Sequence, residues 1–144
     1  MSAAPDPFNL ARFASAQEKV YPTVLAELHS GEKRSHWMWY IFPQIAGLGR
    51  SPTAQYYAIR SRAEADHYLA HPILGPRLRE CTAAVLAIQG RSVWEIFGSP
   101  DDLKLKSCMT LFAAVAGSDP IFAQVLERYF QGEPDHNTLR RLTA

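Results

Sequence analysis

The chain lacks any run of like charges, any apolar stretch longer than six or seven residues, and any close pair of cysteines. Each absence excludes a class. Without a charge run there is no basic arm and no acidic tail. Lys and Arg number 15 against 14 Asp and Glu, an excess too small for a nucleic-acid footprint, so no nucleic-acid partner is expected. Six or seven apolar residues fall well short of a membrane span, so no membrane partner is expected either. The opening MSAAPDPFNLARF has no basic flank before an apolar block and does not read as a signal peptide. The two cysteines, Cys81 and Cys108, form no CxxC pattern and fall in apolar-periodic segments. They read as buried, reduced thiols of a cytoplasmic protein. Alternating strand patterns, hairpin turns and internal repeats are missing. So are the phosphate loop, the dinucleotide fingerprint and the nucleophile elbow, and no cofactor is expected.

What remains is the composition of one globular domain: 144 residues, 47% hydrophobic and 20% charged. Its punctuation is helical. Proline sits just inside expected helix starts at Asp6-Pro7, Ser99-Pro100 and Asp119-Pro120. Ser61–Glu64 reads as a capping box, and Ser99–Asp102 as a variant of one. Leu105, Cys108, Met109, Phe112, Val115 and Ala116 share one helical face, as do Phe122, Val125, Leu126 and Tyr129 in the next segment. Gly117–Pro120 and Gln131–Pro134 break the chain. These signals predict helices near 7–19, 22–30, 33–42, 62–70, 76–89, 92–98, 100–116, 119–131 and 136–143. The expectation is a single compact all-α domain over residues 1–144, with about eight or nine helices and no significant sheet. Pro43 to Ser61 reads as one long loop, the kind of segment that often carries function.

The segment His36–Gln44, HWMWYIFPQ, packs four aromatic rings and a methionine into seven residues. Drawn as a helix it is apolar all round, which requires burial on every side. Pro43 then ends it. The expectation is a central packing helix with one rim open to a ligand.

Several strings carry a resemblance: Lys33–Gln44, Gly47-Leu-Gly49, His71-Pro-Ile-Leu-Gly75 and Ile96–Phe112. They are similar to those of DUF1810, a bacterial family of unknown function, and the likeness runs over nearly the whole chain. It implies an all-helical single domain and supplies no reaction. A calpastatin label borne by some members does not suit this composition, since a disordered inhibitor would be poor in aromatics. Cys108 is a departure: the family usually has Ser there, which argues against a dedicated thiol nucleophile.

The candidate ligand-binding residues are His36, Trp37, Trp39, Gln44, Lys104 and Ser107. The rings would stack a planar group, with Gln44 and His36 orienting its edges. On the helical wheel Lys104 falls at the edge of the apolar face, away from the solvent side where Lys106 and Thr110 are expected; Asp101 stands one turn back to pair with it. Its ammonium would neutralise an anionic ligand, with the Ser107 hydroxyl one turn on. The Gly47–Arg50 loop would let backbone amides approach the same anion. If binding leads to chemistry, His36 is the candidate proton carrier. A Cys108–His36–Asp triad has no spacing in its favour. Glu64, His67 and His71 stand at i, i+3 and i+7, but Pro72 disfavours helical alignment of the second imidazole, and no metal is expected. Arg60 and Arg62 read as solvated charges with room for acidic partners.

Two functions follow. The first is a monomeric cytoplasmic protein that binds, and in an enzymatic version modifies, a small anionic, nucleotide-like ligand. The second is a non-enzymatic helical protein–protein interaction module with an exposed apolar groove.

Overall fold

The structure, a computed structural model, describes residues 5–115 and 119–143. Among them are ten helices and no sheet. In chain order they are α1 (Ala11–Glu18), α2 (Tyr21–Ser30), α3 (Met38–Ile41), α4 (Pro52–Tyr56), α5 (Arg62–Ala70), α6 (Leu74–Ala87), α7 (Val93–Phe97), α8 (Asp101–Val115), α9 (Ile121–Phe130) and α10 (His136–Thr143). The expected all-α class holds. No described helix is long and apolar enough to cross a membrane. Met1–Ala4, Ala116–Ser118 and Ala144 lie outside the described residues, and with them the Ala116 core position and part of the Gly117–Pro120 break.

The long helix α8 is the hub, packing against α5, α7, α9 and α10. Leu105, Cys108, Met109, Leu111 and Phe112 are fully buried on it. Phe112 meets Tyr68 of α5 at 5.4 Å and Phe122 of α9 at 5.8 Å between ring centroids. Tyr68 in turn takes Phe13 of α1 edge-on at 5.1 Å. This aromatic chain ties the helices into one core, each ring removing on the order of 150–250 Å² from water.

Local chemistry explains the boundaries, including those the patterns misplaced. Asp6 does cap a helix, but from a distance: its carboxylate accepts from Leu10 N at 2.7 Å and Ala11 N at 2.9 Å. Asn9 takes φ +52°, so the helix starts at Ala11 rather than at residue 7. Ser61 caps α5 by accepting from Glu64 N, yet the box is only half made. The Glu64 carboxylate turns away to Arg12 and to Arg60 N. A complete capping box stands instead at Ser92–Glu95, which opens α7. The variant expected at Ser99–Asp102 is replaced by Asp102 accepting from Leu103 N.

Two larger corrections concern residues 33–61. The central helix expected over 33–42 shrinks to the four residues of α3. The expected loop is not bare either. It contains α4, and its ends are pinned by a parallel bridge in which Ala46 N donates to Ile59 O (2.7 Å) and Ile59 N to Gln44 O (2.8 Å).

Gly75 shows why part of the His71–Gly75 string is needed. A Cβ at this position would press on the carbonyl oxygen of Leu69 and stand 3.0 Å from its carbonyl carbon. Since α5 and α6 pack against each other, backbone rather than a flexible side chain would have to move. Gly75→Ala is expected to cost about 1–3 kcal/mol, an overpacking penalty, read as a lower midpoint in urea. An unchanged midpoint would refute the close crossing.

Candidate functional site

The segment before α3 is irregular because one carboxylate claims it. Glu27 of α2, 7% exposed, accepts from Arg34 N (2.7 Å), Ser35 N (3.0 Å), the Ser35 hydroxyl and Trp37 Nε1 (3.0 Å). Four donors on one acid bend residues 34–37 around it, and a helix through them would give up these bonds. Burial pushes the carboxyl up, but the Ser35, Arg34 and Trp37 hydrogen bonds outweigh it and hold Glu27 at about 2.

The anchor splits the tryptophans. Trp37 is 1% exposed and packs against Phe42 and Phe97, so it belongs to the core. Trp39 is only half-buried, while His36 is exposed. Met38, Ile41 and Phe42 face inward. The string is therefore a short wedge, buried at Trp37, Met38, Ile41 and Phe42 and open at His36, Trp39 and Tyr40.

On that rim Asp101, near the start of α8, holds two ammonium groups. Lys33 Nζ lies 2.9 Å from Oδ2 and Lys104 Nζ lies 3.6 Å from Oδ1. Each also rides over an indole, Lys33 at 5.0 Å from the Trp37 ring and Lys104 at 5.3 Å from the Trp39 ring, within cation–π range. The pairing of Lys104 with Asp101 is as expected from spacing. Lys33 competes for the same acid and is the more buried, at 7% side-chain exposure against 25%. Two cations against one anion leave one net positive charge.

The other candidates lie variously near and apart. The Ser107 hydroxyl contacts Asp135 Oδ2 and Leu103 O, both at 3.2 Å, so it is engaged in docking α10. Thr110, expected toward solvent, is 2% exposed, and its Oγ1 accepts from Asp135 N, just before α10, at 2.8 Å. Gln44 is half-buried beside the Ile45–Ile59 bridge. The Gly47–Arg50 loop does not present an empty approach. The guanidinium of Arg141 occupies the place where a Gly47 Cβ would stand. Cys108 is fully buried, and burial raises its thiol well above the ordinary range, which removes it as a nucleophile. Glu64, His67 and His71 serve separate partners: Arg12, the Ala63 carbonyl, and the Ile73 and Leu74 amides where α6 begins. Arg62 donates to Ala114 O at 3.1 Å rather than to an acid.

The family model "Protein of unknown function (DUF1810)" matches residues 7–142. The chain belongs to DUF1810. The crystal structure of the conserved hypothetical protein Rv1873 from Mycobacterium tuberculosis is similar at 52% identity and a TM-score of 0.95, covering 96% of this chain and 99% of that one. No curated protein matches. In this DUF1810 chain the HWMWYIFPQ string thus divides into core (Trp37, Met38, Ile41, Phe42) and rim (His36, Trp39, Tyr40). Glu27, which organises both, escaped the sequence reading. Its signal was an acid sharing the Val24–Leu28 face of α2, where an unpaired carboxylate would be costly.

Proposed function

We propose that the protein binds a small anionic, partly aromatic ligand, such as a nucleotide, on the rim where Lys104 lies over Trp39. The observation carrying this reading is the loose tether of Lys104. At 3.6 Å its contact with Asp101 is longer than a hydrogen bond, so the ammonium keeps its donors for another acceptor. The net single positive charge suits one anionic group, and the open part of the Trp39 indole suits a ring. His36, exposed at the head of the same segment, is the candidate for orienting the ligand or, in an enzymatic version, carrying a proton. Trp37, over which the Lys33 ammonium rides, Gln44, and Ser107, whose hydroxyl contacts Asp135, complete the candidate set. The free, buried thiols of Cys81 and Cys108 suit a reducing compartment, and we read the protein as a cytoplasmic monomer.

A thermal-shift panel of nucleoside monophosphates and aromatic carboxylates tests the reading. Wild type is expected to gain melting temperature with at least one of them, and Lys104→Ala to lose that gain. The variant's own stability should fall by less than about 1 kcal/mol, because its ion pair is long and partly exposed. No gain with any anion, or a gain that survives Lys104→Ala, would overturn it. A second reading, the non-enzymatic interaction module, draws on Trp94 of α7 and Leu103 of α8, exposed by 63% and 58%. It expects no anion response at all.

A further inference from the structure

A groove of about 490 Å³ lies between the segment leading into α1 and the α5–α6 turn. Its volume is that of a small-molecule site. Phe8, Leu10, Ala14 and Ile73 supply apolar walls, with Ile73 left 44% exposed. Two imidazoles, His67 and His71, also line it.

Their local partners set opposite tautomers. His67 Nδ1 lies 2.9 Å from the Ala63 carbonyl oxygen, which only accepts. Nδ1 therefore carries a proton, and in the neutral ring Nε2 is an acceptor. His71 Nδ1 lies 3.1 Å from Ile73 N and 3.2 Å from Leu74 N, which only donate. That nitrogen is bare, and the His71 proton sits on Nε2, a donor. Neither Nε2 has a partner among the described residues. The groove thus offers one acceptor and one donor on a largely apolar lining. Asp6 also lines it, with both carboxylate oxygens accepting from the start of α1. Its negative charge disfavours an anionic occupant.

We propose that this groove binds a neutral small molecule made of an apolar ring and a primary amide. The amide N–H donates to His67 Nε2, and its carbonyl accepts from His71 Nε2. A carboxylate lacks the donor and is repelled by Asp6. This occupant differs in charge and place from the anion assigned to Lys104, so either site can fail without the other.

The test uses the full ¹⁵N-labelled chain and two probes of nearly equal shape, benzamide and acetophenone, the second lacking the N–H donors. Benzamide is expected to shift amides of α1, α5 and the α5–α6 turn saturably, and to bind roughly threefold to tenfold more tightly than acetophenone, the worth of one hydrogen bond. His67→Leu should erase that preference, and His67→Gln, which keeps an acceptor, should restore part of it. His67 is exposed, with its ring edge-on to Phe8 at 4.8 Å, and an unchanged ¹⁵N spectrum away from the groove verifies that each variant keeps the fold. Equal affinity for both probes in wild type, a preference that persists in His67→Leu, shifts confined to α8, or no binding would each overturn the proposal.

Discussion

Arg12→Ala is expected to lower the unfolding free energy by about 3–5 kcal/mol, the cost of removing one partner of a buried charge pair. The guanidinium spends all its donors inside the protein. It bonds Phe8 O, Asn9 O, Tyr56 O and Ala58 O at 2.7–2.9 Å, and Glu64 Oε2 at 2.7 Å. Side-chain exposure of the pair is 4% and 3%. Alanine would strand Glu64 without its cation and take this donor from the carbonyls of Phe8, Tyr56 and Ala58. Arg12→Lys should recover little, because a single ammonium cannot reproduce the planar fork. Urea unfolding of the three proteins checks this. A loss below about 1 kcal/mol in Arg12→Ala would mean that water replaces the guanidinium at little cost.

Glu27→Gln is the second large effect, expected at about 3 kcal/mol near neutral pH. The amide oxygen can still accept from Arg34 N, Ser35 N and Trp37 Nε1 in the place of Oε1, but its –NH₂ takes the place of Oε2 beside the Ser35 hydroxyl, and the negative charge that strengthens all four bonds is lost. The pH dependence has a definite sign. With the folded carboxyl at about 2 against an ordinary 4.5, its contribution is present in full above pH 4.5 and is lost as pH falls from there through 2. The wild-type advantage over Glu27→Gln should therefore shrink across that window and be flat above it. An advantage that is constant down to pH 2 would show that hydrogen bonding to the ionised form is not its source. Because Glu27 shapes residues 34–37, the variant should also loosen Lys33 and Trp39, weakening any anion response at Lys104 beyond the loss of stability.

The residues that were legible in advance share one property: their roles depend on neighbours within a turn or two. Apolar spacing in α8 and α9 put Leu105, Cys108, Phe112, Phe122 and Val125 in the core, where they are. The i, i+3 spacing paired Asp101 with Lys104. Thr110 misled for the opposite reason, since its hydroxyl is held by the Asp135 amide, 25 residues on. The aromatic string was readable as a packing wedge, but its helical length was not. What shortens it is Glu27, seven to ten residues away and in a different helix.

Composition and periodicity alone were enough for an all-α domain in which no described helix is long and apolar enough to cross a membrane, because helix formation and burial are driven by local pattern and apolar area. The tertiary structure decided which polar groups were spent and which left over: Ser107 taken by Asp135, Gly47 covered by Arg141, Lys33 drawn to Asp101, Lys104 tethered at longer range. Hydrogen bonds and ion pairs saturate, so a residue's free valence depends on every partner the fold brings near it, and sequence spacing reveals only the closest of those.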